Sequence, residues 1–485
     1  MPDTLAPATA AGPADAALLD DLGGILGPKG LLTGPDMAGY LSDWRDRISG
    51  RAVAVALPAS TAEVAAVVRL CNARGIALYV QGGNTSLCGG SVPDPSGRAL
   101  LLSTRRLNAV REIDPVSNIA VVESGMVLAH LHELAGRHDR IFPMHLGSEG
   151  TAQIGGLIST NAGGVSAVRY GTMRNLVAGL EVVLPDGEVI SRLGGLRKDN
   201  RGYDWKQLFI GGEGTLGIIT AAALNLHARM TARSDALMAV ASPEQAVRVF
   251  ERLRARFDTK VMACEMVSGT EVALTLKHVP GLRFPLAEMP DWMVLVELGD
   301  IGGAEALQDA LQTCLGELLE EGVIDDAVLC QNLRESQELW KWRHSFSEAN
   351  KKAGHGIVFD ASLRVRAVPE FLARAIPAAA ELAPWAVPLV VCHLGDGNAH
   401  LIMLNRAEDR HLIADMEALT HAMFDRIHDI IADLDGSFSA EHGVGRKLVD
   451  EMVARQPAAE IALMRAIKRG IDPQGRFSPG VIVAD

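Results

Sequence analysis

QGGNTSLCGGSVPD, residues 81–94, follows the apolar run IALYV at 76–80, so a strand delivers the chain into a loop with glycines at 82, 83, 89 and 90. Such crowding lets backbone N–H groups close on an anion, because no Cβ stands between main chain and ligand. The spacing matches neither the dinucleotide G-x-G-x-x-G pattern nor the Walker form, and alone the loop reads equally as an ordinary turn. Two stretches of similar texture follow, HLGSEGTAQIGGLISTNAGG at 145–164 and RKDNRGYDWKQLFIGGEGTLGIIT at 197–220, with strand-like runs such as LEVVLPDGEVI at 180–190 between them. Three separated loops of this kind suggest one long ligand wrapped by several of them. A domain with many tight turns would read the same way.

Upstream, VAVAL at 53–57 reads as a strand, and STAE at 60–63 as a capping box in which Ser60 and Glu63 satisfy each other's free amides. The helix it opens runs to about Arg74, where Gly75 stops it. After about Met230 the texture changes. Helical stretches (PEQAVRVFERLRARF at 243–257, AEALQDALQTCLGELLEE at 304–321) alternate with strands (WMVLVELGD at 292–300), which predicts a separate α+β domain. From about Arg446 the chain reads as a helix and then a turn-rich closing segment, IDPQGRFSPGVIV at 471–483.

Within the second domain, HLGDGNAH at 393–400 sits between the apolar runs PLVVCHL and HLIML. With Asp396 and Gly397 at the centre of a two-residue turn, the expected register sets His393 opposite His400. Cross-strand partners stand about 4.5–5.5 Å apart at Cβ, close enough for two imidazoles to share an ion. An ordinary hairpin with two unrelated histidines is the competing reading. GSFSAEHGVG at 436–445 adds Glu441 beside His442, completing a two-imidazole, one-carboxylate set with an open position, as in catalytic divalent-metal sites. Arg343 and Ser347 lie four apart in SQELWKWRHSFSEANKK, so one helix would present both on one face, with the guanidinium suited to a carboxylate. A solvated surface arginine fits the spacing as well.

At 485 residues, two or three domains are expected. The formal net charge of −13 without a basic tract argues against a nucleic-acid partner. Six scattered cysteines with no C-x-x-C pair suit a reducing compartment, the Ala-rich start lacks the basic and apolar parts of a secretory leader, and no run is long enough to span a membrane. The expectation is a cytoplasmic protein that associates as a homodimer.

QGGNTSLCGGSVPD, STNAGG, RYGTMRNLVAGLEVVLPDG, LRKDNRGYDWKQLFIGGEGTLGIIT, HLGDGNAH and SAEHGVG together resemble the FAD-linked D-2-hydroxyacid dehydrogenases, in the D-2-hydroxyglutarate/D-lactate branch, from about residue 40 to 480. The resemblance implies an α+β fold: a two-subdomain FAD-binding domain of vanillyl-alcohol oxidase type, and an α+β substrate (cap) domain with an antiparallel sheet. The expected boundaries are an N-terminal helical segment at 1–50, the FAD domain at 51–229, the cap at 230–445, and a C-terminal segment at 446–485 returning to the FAD domain. It implies that Gly82, Gly83, Asn84, Thr85, Ser86, Gly89 and Gly90 hold the FAD pyrophosphate. Ser148, Thr151, Gly155, Gly156, Thr160, Asn161 and Gly163 would form a second FAD-contacting run, and Glu213, Gly214, Gly217 and Ile218 a third. His393, His400 and Glu441 resemble the ligands of a divalent metal, usually zinc. Arg343 resembles the carboxylate anchor and His442 the base.

The implied activity is oxidation of a D-2-hydroxy acid to the 2-oxo acid by hydride transfer to flavin N5, with electron-transfer flavoprotein or a quinone as acceptor. Three positions depart from the D-2-hydroxyglutarate pattern: Val358 replaces a lysine, Ile402 an asparagine and Ser347 a threonine. By strand alternation Ile402 shares a face with His400, so the expected substrate is lactate-like, aliphatic or aromatic, with D-2-hydroxyglutarate as the alternative. Outside this class, a metal-dependent hydrolase would use the same ligand set without three glycine loops, and a flavin electron carrier would hold FAD without oxidising any hydroxy acid.

Overall fold

The computed structural model describes residues 13–483, so part of the 1–50 segment and of the Ala-rich start, together with 484–485, lies outside the described residues. Among the described residues no helix is long and apolar enough to cross a membrane. All six cysteines are free and buried.

The first half carries two small sheets. In one, strands Leu78–Gln81 and Val55–Ala56 flank Leu100–Ser103 in parallel, and Leu31–Leu32 adds an antiparallel edge. The helix Thr61–Arg74 packs Val64, Val67 and Val68 onto this sheet. Its cap is close to the expected box: Ser60 Oγ accepts from Glu63 N, but the Glu63 carboxylate takes the Ala59 amide rather than that of Ser60. The second sheet is a five-stranded antiparallel one in the order Val110–Asp114, Ile119–Glu123, Ile218–Asn225, Val177–Val183, Val189–Arg192. At the far end of the chain, Phe477 forms a parallel bridge with Leu78, so the closing segment returns to the first sheet.

From Ala232 onward the chain builds a seven-stranded antiparallel sheet. Its order is Asp326–Leu329, Ala232–Val240, Trp292–Asp300, Val261–Ser268, Val387–His393, Asn398–Arg406, Gly354–Ser362. The helices Pro243–Phe257, Ala304–Glu320, Val368–Leu382 and Met416–Asp433 cover one face, packing Phe250, Leu311, Phe371 and Ile427 against Met266, Val296 and Phe359. On the other face Trp340, Trp342 and Phe346 pack on Leu295, Val267 and Val391. That second face carries the site.

The hairpin at 393–400 departs from the expected register. His393 pairs with Asn398 and His400 with Val391, so the connection has four residues, Leu394 to Gly397, instead of two. The cause is lateral: Gly395 N–H donates to Cys264 O of the neighbouring strand, and the Asp396 and Gly397 amides both turn back on His393 O. A shift of two residues preserves the face, so the histidines remain on the same side of the sheet. Gly397 has φ +81°, and a Cβ there would lie 2.0 Å from Leu363 O. Gly397→Ala is expected to destabilise the protein by about 1–3 kcal/mol, measured as a lowered urea midpoint.

The shared helical face expected for Arg343 and Ser347 is also revised. The helix Leu333–His344 ends and a new one, Phe346–Ala353, begins across Ser345, whose hydroxyl donates to Lys341 O. Arg343 is turned inward while Ser347 is exposed.

Candidate active site

Strand period places the site side chains. Asp360 stands opposite His400, and Glu265 opposite His393, so a carboxylate flanks each imidazole on the same face of the sheet. The His393 and His400 rings lie 5.5 Å apart at 81°. Into this row comes the segment 437–445, bridged to the sheet edge at Ser362↔Ser437 and Asp360↔Ser439. Asp360 Oδ2 accepts the backbone N–H groups of Ala440, Glu441 and His442 at 3.1, 3.0 and 2.9 Å, while Oδ1 accepts from Asn398 Nδ2 at 2.9 Å. Three successive amides on one oxygen fix where Glu441 and His442 leave the chain.

Glu441 Oε1 lies 3.4 Å from His400 Nε2, and one ligand atom from each of His393, His400 and Glu441 falls within 4.8 Å of the others. His393 Nδ1 is 2.6 Å from Glu265 Oε1. With the ring neutral, as a cation at Nε2 requires, the proton sits on Nδ1, facing the carboxylate, and Nε2 carries the lone pair, the arrangement that orients metal-binding histidines. Glu265 Oε2 accepts from Arg343 Nε and Nη2 at 2.8 and 2.6 Å. Arg343 Nη1 makes no hydrogen bond to any described residue. His442 stacks on His400 at 5.3 Å and 24°, with Nδ1 3.3 Å from Asp360 Oδ2.

The charges are mutually supporting. Burial pushes the Glu265 carboxyl up, but Arg343 and His393 outweigh it and hold the group at about 2. Burial disfavours charge on His393, yet Glu265 and Glu441 raise it to about 9. Asp360 is held below the usual carboxylate range because His442, His400 and the amides overcome its burial. His442 is lowered by burial, which keeps a neutral imidazole at neutral pH. Two imidazoles and an ionised carboxylate, with one tautomer pinned, are a donor set that fits a divalent cation of the zinc type.

The first-domain loops approach this cluster. A Cβ on Gly83 would lie 2.1 Å from Thr151 O, one on Gly82 3.5 Å from Gly156 N, and one on Gly163 3.6 Å from Glu441 Oε2. Gly156 itself faces open space. Glu213, at φ +46°, accepts the Val444 and Gly445 amides at 2.9 Å each, and burial still pushes its carboxyl up to about 7. Gly90 faces the same carboxylate: its Cβ would lie 2.9 Å from Glu213 Oε2. A cavity of about 510 Å³ runs between Thr160, Asn161, Gly211 to Glu213 and the segment Ser437 to Glu441. Residues of the second and third glycine-rich runs and the acid of the histidine cluster thus border one space, where Gly211 and Gly212 leave the backbone open to a ligand.

Other expected positions are spent on structure. Asn84 donates to Ser42 O and accepts from Ser91 Oγ, while Asn161 Oδ1 accepts from Thr172 Oγ1 and Arg174 N. The Ser86 hydroxyl accepts from Cys88 N and that of Thr160 donates to Gly156 O; Ser148 uses its carbonyl to hold Thr151 and Ala152. Gly89 (φ +69°) lies against Ile48 and Gly214 (φ +74°) against Val80, while Gly155 packs on Ser124 and Gly217 on Val182 and Phe209. Ile218 is buried in the core beneath the first sheet. Thr85 is half-buried. Val358 and Ile402 stand directly opposite each other, two pairs along from Asp360 and His400 and so on the same face. Two site residues had no role in the sequence reading: Glu265 and Asp360. The signal was a lone acid in an otherwise apolar strand, VMACEMVS and GIVFDAS.

Residues 52–192 match a family model described as FAD binding domain, and residues 229–482 one described as FAD linked oxidases, C-terminal domain. The D-2-hydroxyglutarate–pyruvate transhydrogenase of Saccharomyces cerevisiae is 32% identical, covering 92% of this chain and 89% of that one. The mitochondrial D-2-hydroxyglutarate dehydrogenase of Danio rerio is 34% identical, covering 93% and 82%. The D-2-hydroxyglutarate dehydrogenase of Xanthomonas citri is 34% identical, covering 92% of each. Among solved structures, p-cresol methylhydroxylase superposes with a TM-score of 0.75 at 16% identity over 99% of this chain and 98% of the other. The 4-ethylphenol oxidase of Gulosibacter chungangensis does so with 0.73 at 21% identity over 98% of each.

Proposed function

Because the chain belongs to the FAD-linked D-2-hydroxyacid dehydrogenase family, with the vanillyl-alcohol oxidase type of α+β fold, we propose that it oxidises a D-2-hydroxy acid with an uncharged side chain, lactate-like, aliphatic or aromatic, to the 2-oxo acid. One observation carries this reading: Glu441 borders both the histidine cluster and the second glycine run, so a substrate beside His442 would lie against the cofactor loops.

FAD would be held along Gly82, Gly83 and Gly90, Gly163, and the cavity wall at Gly211 to Glu213, and when bound would supply the acceptor for the hydride that leaves C2. His393, His400 and Glu441 would hold a divalent cation, which would supply positive charge that lowers the pKa of the substrate hydroxyl. His442 then takes the hydroxyl proton at Nε2, with its Nδ1–H directed at Asp360. Arg343, fixed by Glu265, offers Nη1 to the substrate carboxylate.

The side-chain preference rests on Val358 and Ile402. They face each other on the site face, where the family pattern has lysine and asparagine, and leave two hydrocarbon side chains beside His400. A hydrogen bond to a charged group contributes about 1.5–3 kcal/mol, so D-2-hydroxyglutarate should be disfavoured by roughly tenfold to a hundredfold. The similarity to D-2-hydroxyglutarate dehydrogenases favours the diacid, which is the second reading. Anaerobic bleaching of the flavin by a panel of D- and L-hydroxy acids tests both. D-lactate or D-mandelate should bleach with the higher kcat/KM, and Val358→Lys with Ile402→Asn should shift the preference toward D-2-hydroxyglutarate. A wild-type preference for the diacid overturns the side-chain assignment, and the absence of bleaching by any D-acid overturns the proposed reaction.

A further inference from the structure

We propose that His132, His145 and Glu149 form a second transition-metal site, in the first domain and sharing no residue with the His393, His400 and Glu441 set. The backbone brings these groups together. Ala129 N–H, in the first turn of the helix Leu128–Gly136, donates to Glu149 O, and Leu128 N–H donates to Ala152 O. The loop is thereby docked on the helix, and His132, three residues beyond Ala129, lies on the same helical face.

His132 is oriented for a ligand's role. Its Nε2 lies 2.9 Å from Met144 O, and a carbonyl only accepts, so the proton is on Nε2 and the lone pair is on Nδ1. That lone pair looks into the cluster: Nδ1 is 3.8 Å from Glu149 Oε2. His145 Nδ1 lies 3.2 Å from the same oxygen, and the two rings are 4.5 Å apart. A tetrahedral ion with bonds of about 2.0–2.1 Å sets its ligands roughly 3.3 Å from one another; the three ligand atoms already lie within 4.8 Å of one another, so side-chain rotation closes the site without moving the backbone.

The chemistry selects the ion class. Two imidazoles and one carboxylate suit Zn²⁺, Co²⁺ or Ni²⁺ rather than Mg²⁺ or Ca²⁺, which take oxygen ligands. His145 and Glu149 are half exposed, which leaves the remaining corner to water. Both act electrostatically on His344 of the second domain, so the cluster lies at the seam between the halves. Such an ion would clip the loop that carries Ser148 and Thr151 onto its helix.

The test counts metal, not turnover. Full-length protein freed of metal by a chelator, with the chelator then removed, is titrated with ZnCl₂ or CoCl₂ alone, and bound metal is measured by atomic emission and, for Co²⁺, by visible absorption. The wild type should bind one equivalent more than His145→Ala, and Glu149→Gln should weaken that equivalent by at least about tenfold, the lower end of what even an outer-sphere partner contributes. The His393→Ala, His400→Ala double variant should lose a different equivalent. Unchanged visible flavin absorption shows that each variant is folded. If His145→Ala and Glu149→Gln both bind as much Zn²⁺ as the wild type, with equal affinity, the second site is refuted while the hairpin site stands. If only the His145→Ala equivalent exists, the second site stands and the hairpin site falls.

Discussion

Replacing Asp360 by alanine is expected to lower kcat/KM by about a hundredfold or more, the upper range for removing a partner that orients metal-binding and reacting groups. Asp360 touches His400, His442 and the segment that presents Glu441. Its Oδ2 gathers the amides of Ala440, Glu441 and His442, and the two oxygens lie 3.5 and 3.3 Å from Nδ1 of His400 and His442. Without the carboxylate the segment keeps its backbone bridges but loses the acceptor of its three amides, Glu441 drifts from His400, and nothing directs the Nδ1 proton of His442. Stability should fall as well, by about 3 kcal/mol, because a half-buried nest of amides is left without its acceptor. Asp360→Asn separates the two effects. One amide oxygen can still face the three N–H groups, so most of the stability should return, while the charge that favours the proton on His442 Nδ1 does not. Activity of Asp360→Asn equal to wild type would show that Asp360 is only scaffolding.

Glu265→Ala is the second large loss. Glu265 is wholly buried, and its two oxygens serve different partners, His393 on one and Arg343 on the other. Removing one member of a buried ionic set leaves an uncompensated charge and costs about 3–5 kcal/mol, here the Arg343 guanidinium, visible as a lowered denaturation midpoint. The kinetic signature should be compound. Arg343 freed from Glu265 no longer presents Nη1 in one place, which raises KM, and His393 loses the carboxylate that fixes its tautomer, which weakens Zn²⁺ binding. Glu265→Gln keeps the volume and one acceptor, and should recover stability more than metal affinity. If Glu265→Gln binds Zn²⁺ as the wild type does, the carboxylate has no part in orienting His393.

Much of the second domain is written locally. The helix Pro243–Phe257 is legible from Ser242 at its cap, proline at its first position and apolar spacing through Val247, Phe250 and Leu253. The strand Trp292–Asp300 follows from its apolar run, and the hairpin itself from Asp-Gly between two such runs. The register of that hairpin was not legible. It depends on Gly395 donating to Cys264, a bond to a strand far away in sequence, and a two-residue turn is the better choice until that neighbour is known. The helix break at Ser345 was hidden for a similar reason, since the apolar period continues through Trp342 and Phe346 on both sides of it.

The candidate site divides along the same line. His393, His400, Glu441, His442 and Arg343 belong to short motifs whose residue types announce chemistry, and the structure gathers all five. Glu265 and Asp360 announce only an acid in a strand. Their roles come from partners 128 and 82 positions away, His393 and the His442 amide, and no spacing rule reaches that far. Among the glycine loops, Gly211 and Gly212 line the cavity and Gly163 looks toward Glu441, whereas Gly83 lies against the Thr151 carbonyl and Gly217 and Ile218 serve packing beneath the sheets. A motif marks both kinds alike, because a backbone that must approach a ligand and one that must approach a neighbouring strand ask for the same small residues.

The hold of Glu213 on the amides of Val444 and Gly445 has a bearing on how such proteins diversify. The loop that presents Glu441 and His442 is anchored by an acid encoded more than two hundred positions earlier, in the other half of the gene product. A hybrid that grafts a relative's second half onto this first half therefore inherits reactive groups whose mooring belongs to the host. Recombination between relatives can exchange the walls of the substrate pocket far more freely than it can exchange that joint.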